Sequence, residues 1–129
     1  MSNELSLSEA PVIAIVEDEE MVRTALERLL KTSGYAVAAF VSAEAFLSSG
    51  PLREVRCLIA DIRMPGMSGL DLQSRLNDEG CPIPIIFITA HGDERMRIRA
   101  MRAGATAFLA KPFDRAVLLE HVQACLELT

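Results

Sequence analysis

The chain has no excess of positive charge, no long apolar run, no paired cysteine motif and no internal repeat. Its 129 residues carry 13 Lys and Arg against 18 Asp and Glu, a net charge of −5. Nucleic acid binding needs a basic surface to meet phosphates, so this balance argues against that role for the segment by itself. No apolar run approaches the roughly 18 residues of a membrane span, and the N-terminus lacks the pattern of a secretory signal. Cys57, Cys81 and Cys125 are odd in number and form no C-x-x-C pair. They read as small core residues in a reducing compartment rather than as bridges or metal ligands. A cytoplasmic, membrane-free protein is the expectation. What the chain does have is apolar residues, half of its total, which suffices for one domain with a real core.

Those apolar residues cluster in short runs that end on chemistry. Cys57-Leu58-Ile59-Ala60 stops at Asp61, and Ile62-Arg63-Met64-Pro65-Gly66-Met67-Ser68-Gly69 cannot continue a strand because Pro and Gly break it. Asp61 is therefore expected at the carboxyl end of a buried strand, held rigidly and facing solvent. Val12–Val16 runs into Glu17-Asp18-Glu19-Glu20 in the same way. Ile85–Ile88 ends on Thr89, and Ala107–Ala110 ends on Lys111-Pro112. Four apolar strands thus finish on acids, an acid, a hydroxyl and an ammonium.

Taken in order, residues 1–11 are polar and aperiodic, as in a frayed tail, and a single domain is expected over 12–128. The first strand, Val12–Val16, is apolar throughout, as suits a parallel strand covered on both faces. Asp18 is positioned to cap a helix in which Val22, Ala25, Leu26, Leu29 and Leu30 follow helical spacing, and Gly34 supplies the stop. Tyr35–Val41 reads as a second strand. Ser42 opens a short helix over Ala43–Ser48, closed by Gly50-Pro51. After the Asp61 strand come a helix at Ser68–Asn77 with Leu70, Leu72 and Leu76 inward, and a strand at Pro84–Thr89. A fourth helix, Asp93–Ala103, offers only Ile98, Met101 and small alanines to the core, so weak anchoring is expected. Thr106–Ala110 is the fifth strand, and Asp114 caps a last helix with Leu118, Val122, Cys125 and Leu126 inward. Strict alternation of strand and helix implies a parallel sheet with right-handed crossovers and helices on both faces.

Sites in such sheets lie beyond the carboxyl ends of the strands, where strand order reverses. If the first and third strands are neighbours, Glu17, Asp18 and Asp61 converge there, with Thr89 and Lys111 on the flanking strands. Clustered carboxylates repel one another, and a hard divalent cation such as Mg²⁺ relieves the repulsion while binding phosphoryl oxygens. An Asp carboxylate in that setting is a natural phosphoryl acceptor, with Lys111 and Thr89 as partners for the phosphate. Each feature alone has a blander reading: an acidic helix start favoured by the helix dipole, a turn Asp, a Lys-Pro loop. Their recurrence on successive strand ends sets them apart from ordinary turns.

Glu17-Asp18, Asp61 with Met64-Pro65-Gly66, Thr89-Ala90 and Lys111-Pro112-Phe113 resemble the receiver domain of two-component response regulators. Ser42–Leu47, His91-Gly92-Asp93 and Ala100–Ala105 further resemble its FixJ-like branch. The resemblance implies a doubly wound, flavodoxin-like α/β fold with five strands in the order 2-1-3-4-5 and five helices. It implies a switch that is regulatory rather than an enzyme acting on other substrates. Asp61 would accept a phosphoryl group from a sensor histidine kinase, and Thr89 and Lys111 would hold that group. Mg²⁺ (or Mn²⁺) would be bound by Asp18, Asp61 and the Arg63 backbone carbonyl, with Glu17 acting through water. Glu17 stands where the family often has Asp, which leaves direct or water-mediated contact open. Phe108 takes the position of the switch aromatic, with a plain core Phe as the alternative, and Lys111–Pro112 would be cis. Arg63 and His91 flank the site as tuning residues or as ordinary loop residues. Arg95, Arg99 and Arg102 form a stripe on the fourth helix, either a solvated face or a partner surface. A homodimer through the fourth-helix and fifth-strand face is the expected phosphorylated state. DNA would be reached only through an output domain absent from this chain, which reads as a receiver cut from a longer transcription regulator, with a stand-alone regulator as the alternative.

Three other readings fit less well. A haloacid-dehalogenase-type phosphatase needs an acid where Arg63 stands. A flavodoxin-like FMN binder needs a Gly/Ser/Thr cradle after the first strand, and Glu17–Glu20 would repel its phosphate. A pseudo-receiver would be expected to lack Asp61 or Lys111.

Overall fold

The computed structural model describes residues 12–49 and 54–127, with the Ser49 side chain left aside. The tail assigned to 1–11, the Gly50-Pro51 helix stop and residue 128 lie outside the described residues. The elements in chain order are β1 (Val12–Val16), α1 (Glu20–Thr32), β2 (Ala36–Phe40), α2 (Ala43–Ser49), β3 (Val55–Asp61), α3 (Gly69–Asp78), β4 (Ile85–Thr89), α4 (Glu94–Arg102), β5 (Ala107–Ala110) and α5 (Arg115–Glu127). All ladders are parallel and the sheet order is β2-β1-β3-β4-β5, so strand order reverses between β1 and β3.

Side chains alternate across each strand with a period of two, and this splits the core into two layers. Ile13, Ile15, Cys57, Ile59, Ile86 and Ile88 face α1 and α5, where Leu26, Leu30, Leu118 and Val122 meet them. Ala14, Val16, Leu58, Ala60 and Phe87 face the other way, against Phe46 of α2, Leu72 and Leu76 of α3 and Ala100 of α4. Coverage on both faces is why the strands read as unbroken apolar runs rather than alternating ones. Each fully buried Leu or Ile contributes about 1.5–3 kcal/mol. Cys57 and Cys125 lie in the first layer, fully buried, and all three cysteines are free. The adjacent Cys125 thiol and burial together push the Cys57 thiol up, away from reactivity.

Helix ends follow local chemistry, with two departures from expectation. Asp93 and Asp114 accept from the amides of Met96 (2.9 Å) and Val117 (3.0 Å) as N-terminal caps. Ser68 and Asp71 form a reciprocal capping box. Asp18 does not cap α1: Glu19 is the residue before the first turn, and its side chain caps nothing. In place of a cap, the Arg23 guanidinium donates to the Glu17 carbonyl at 2.9 Å and ties the acidic loop back onto α1. At the other end of α4, Gly104 adopts a φ of +104, which a side chain would oppose. Its amide reaches Met101 O (3.1 Å) while Ala105 N reaches Ala100 O (3.0 Å), a left-handed termination that α1 and α3 repeat at Gly34 and Gly80.

The second departure is the phase of α4. Its inward residues are Met96 and Ala100; Ile98 and Met101 are 38% and 39% exposed. Helical period alone leaves the phase open. The Asp93 cap and the Gly104 turn fix it, and they place the small Ala100 against the sheet.

Candidate functional site

Strand register assembles the site. Val16 pairs with Ala60, so the next residues, Glu17 and Asp61, emerge side by side at the reversal of strand order. Asp61 pairs with Ile88 and Thr89 with Ala110, which carries Thr89 and Lys111 to the same edge. The sheet thus brings together Glu17, Asp61, Thr89 and Lys111 as their spacing suggests.

Asp61 is buried at 5% exposure rather than facing solvent. The reason is the loop behind it, which folds back so that Gly69 N bonds to Ile62 O at 2.9 Å. A Cβ on Gly69 would lie 2.2 Å from the Asp61 carbonyl oxygen, so only glycine permits this approach. Asp61 Oδ1 accepts from Ile62 N (2.7 Å), and Oδ2 accepts from Lys111 Nζ (2.9 Å). Lys111 Nζ also donates to Glu19 Oε1 at 3.0 Å and stands 2.9 Å from Glu17 Oε1. The Glu17 contact is an ion pair without hydrogen-bond alignment, since Oε1 has no hydrogen-bond partner among the described residues. Glu17 Oε2 accepts from Glu19 N at 3.1 Å.

One ammonium therefore sits among three carboxylates. Burial raises the Glu17 carboxyl above its ordinary range; Lys111 and the Glu19 amide oppose this, and Asp61 adds to it. Burial pulls Lys111 down, but Asp61, Glu17 and Glu19 outweigh it and hold the ammonium above the usual lysine range. Carboxylate oxygens of Glu17, Glu19 and Asp61 come within 4.8 Å of one another. A compact set of hard oxygen donors, one of them buried and without a hydrogen bond, has the chemistry a divalent cation requires.

Several expected participants stand differently. The Asp18 side chain is exposed, and it is Glu19, itself exposed, whose carboxylate reaches the cluster from the turn at the end of β1. Arg63 and His91 are exposed on the loops beyond Asp61 and Thr89. Thr89 is 2% exposed, and its Oγ1 has no hydrogen-bond partner among the described residues. Phe108 is half-buried and packs on the α2–α4 layer of the core. Gly92 connects the two: a Cβ there would lie 2.6 Å from Thr89 Cγ2 and 2.9 Å from the Phe108 ring. The Lys111–Pro112 peptide is cis, as the resemblance implies.

Sequence reasoning gave no role to Glu44. From α2 its Oε2 accepts from Met67 N at 2.9 Å and lies against Gly66, so it holds the loop that follows Asp61. That bond draws the Glu44 carboxyl below its ordinary range. It lies in the Ser42–Leu47 segment that resembles the FixJ-like branch, but nothing local marks its bond to a partner 23 residues away.

A parallel sheet with an acid–lysine cluster at its switch point defines a class, and comparison agrees with it. The response regulator receiver domain profile matches residues 13–123, and the chain belongs to that family. It is 41% identical over 120 residues to the transcriptional regulatory protein FixJ of Azorhizobium caulinodans, covering 93% of this chain and 57% of FixJ. It is 45% identical over 119 residues to the response regulator protein TodT of Pseudomonas putida, covering 92% and 52%. The chain thus spans about half the length of the curated relatives it matches. Among solved structures, response regulator StyR superposes with a TM-score of 0.87 at 44% identity, covering 92% of this chain and 60% of StyR. FixJ-N superposes at 0.81 and 44%, covering 91% and 94%. A two-component signalling domain is what this family membership establishes. No helix among the described residues is long and apolar enough to cross a membrane.

Proposed function

We propose that residues 12–128 form a phosphorylation switch in which Asp61 accepts a phosphoryl group from the phosphohistidine of a sensor histidine kinase. The observation that carries this reading is the Lys111 ammonium held 2.9 Å from Asp61 Oδ2, with a buried Thr89 hydroxyl that has no hydrogen-bond partner among the described residues at the end of the strand between them. An Asp61 carboxylate oxygen supplies the electron pair for the new O–P bond. The P–N bond breaks, and imidazole leaves with its electrons. Lys111 is already charged and close enough to pair with phosphoryl oxygens, and Thr89 Oγ1 has a hydrogen bond to give. Asp61, Asp18 and the Arg63 backbone carbonyl would hold Mg²⁺ (or Mn²⁺), with Glu17 direct or through water and Glu19 as a further acid at hand. The cation supplies neutralisation of charge on the phosphoryl oxygens. Arg63 and His91, exposed on either side, tune water access to the acyl phosphate.

Phosphate on Asp61 draws Thr89 toward it, and Phe108 fills the space released. The surface of α4 and β5 then changes. Ile98, exposed between Arg95, Arg99 and Arg102, gives that surface an apolar centre with a cationic edge, suited to homodimer formation. By likeness to the transcriptional regulatory protein FixJ, the whole protein is a cytoplasmic transcription regulator that reaches DNA through an output domain. Catalysis is limited to its own phosphorylation and dephosphorylation.

Acetyl phosphate with Mg²⁺ should add one acid-labile phosphate to the wild type, seen by intact-protein mass spectrometry. Omitting Mg²⁺ or replacing Asp61→Asn should abolish it. Equal labelling of both proteins would remove Asp61 from this role.

A further inference from the structure

α4 is fastened at one end. From α3, the buried Gln73 side chain donates Nε2 to the Ala100 carbonyl at 3.0 Å. One turn further along α3, Asn77 Nδ2 donates to the Ala103 carbonyl, also at 3.0 Å. Ala100 lies in the last turn of α4 and Ala103 is the capping residue that follows it, where carbonyls have no intrahelical partner. Ala100 is the helix's one fully buried residue, pressed on the sheet beside Gln73. The Gly104 termination fixes the same end. At the opposite end the Asp93 cap and the Glu94–Arg97 ion pair are internal to α4. Among the described residues no side-chain hydrogen bond or ion pair joins Asp93–Arg97 to another element, and that end meets the rest through half-buried Met96 and the Gly92 loop lying on Thr89 and Phe108. The Arg99–Asp71 pair, 3.9 Å apart and more than half exposed on both sides, adds little between α3 and α4.

We propose that Gln73 and Asn77 are positioning residues that make the C-terminal end of α4 a pivot. Movement of Thr89 then swings the N-terminal end of the helix rather than displacing it whole. This rests on the switch reading above, yet the tether itself can be measured without phosphate.

The test is a Gln73→Met/Asn77→Ala double variant of the intact chain. Met keeps the length of Gln and removes the donor. The Ala100 carbonyl keeps Ala105 N, and the Ala103 carbonyl can turn to water, so neither acceptor is orphaned. By amide hydrogen exchange, Ala103, Gly104 and Ala105 should exchange on the order of tenfold faster, with β1, β3 and α1 unchanged. Unchanged α4 exchange, or equal acceleration everywhere, would overturn the tether. Beryllofluoride with Mg²⁺ should shift the amide resonances of Glu94–Arg97 in the wild type while those of Ala103–Ala105 stay. In the double variant both ends should shift. Wild-type C-terminal amides that move as far as the N-terminal ones would overturn the pivot. Absence of both a resonance shift and Asp61 labelling would remove the switch reading and the pivot's purpose with it, while the exchange arm would still decide the tether.

Discussion

The two faces of the sheet are held in different ways. On the α1/α5 face the fastening is apolar: Leu26, Leu30, Leu118 and Val122 are fully buried against the isoleucines of β1, β3 and β4. On the α2–α4 face a good apolar layer of Phe46, Leu72, Leu76 and Phe87 is supplemented by polar bonds between elements. Glu44 holds Met67 N, Gln73 holds Ala100 O and Asn77 holds Ala103 O. Apolar burial is non-directional and large. A hydrogen bond is directional and nets about 0.5–1.5 kcal/mol. The first face is built to stay in place, whereas the second can rearrange at modest cost. The elements around Thr89 and Phe108 all lie on the second.

The sharpest test of this contrast compares truncations in the helices of the two faces. Leu30→Ala in α1 should cost about 2–5 kcal/mol, the usual range for a buried Leu. Ala100→Gly in α4 should cost about 1 kcal/mol, chiefly helix propensity. Urea midpoints at unchanged slope measure both. A cost for Ala100→Gly equal to that of Leu30→Ala would break the comparison.

Next in size is the seam between Thr89 and Phe108. Gly92→Ala puts a methyl 2.6 Å from Thr89 Cγ2 and 2.9 Å from the Phe108 ring. Overpacking of this kind costs about 1–3 kcal/mol, less where a loop can give. Combined with Phe108→Ala, the added cost should shrink, because the ring that the methyl meets is gone. A double-mutant cycle would show that coupling. Strict additivity would mean the loop relaxes independently of Phe108, and the link from Thr89 to Phe108 would lose its support.

How far the sequence reveals these faces depends on what each rests on. Strands buried on both sides leave continuous apolar runs, so the sheet, its five helices and the residues at the strand ends were legible. Register then does the rest: Glu17, Asp61, Thr89 and Lys111 meet because each is the last strand residue or the one after it. Polar detail was less legible. Whether Asp18 or Glu19 turns toward Lys111 depends on the path of one turn within an acidic run. The burial of Asp61 depends on a loop folding back onto Gly69. Apolar and small residue types point Ile98, Met101 and the alanines of α4 inward; the Asp93 and Gly104 ends set a phase that does turn Ala100 in but leaves Ile98 and Met101 more than a third exposed. Glu44 and Gln73 act on residues 23 and 27 positions away. No local pattern marks such bonds.

The smallest effect expected sharpens the polar side of the comparison. Met67 N donates to Glu44 Oε2 and lowers that carboxyl below its ordinary value of 4.5. A carboxylate with a depressed folded-state pKa binds fewer protons folded than unfolded in the window between the two values. Its stabilising share is therefore full above about pH 4.5 and is lost as pH falls through the lowered value. The side chain is exposed, so solvent screens the effect and the readout must be local rather than global. The Met67 amide resonance, followed from pH 7 downward, should titrate with a midpoint below 4.5. In Glu44→Gln that step should vanish, because the amide oxygen still accepts but no longer ionises. Resonances of Leu26 and Leu30 in α1 should not follow it in either protein. A Met67 midpoint at or above 4.5 would mean the bond is too weak to hold the loop after Asp61, leaving that loop to the Gly69 contact alone.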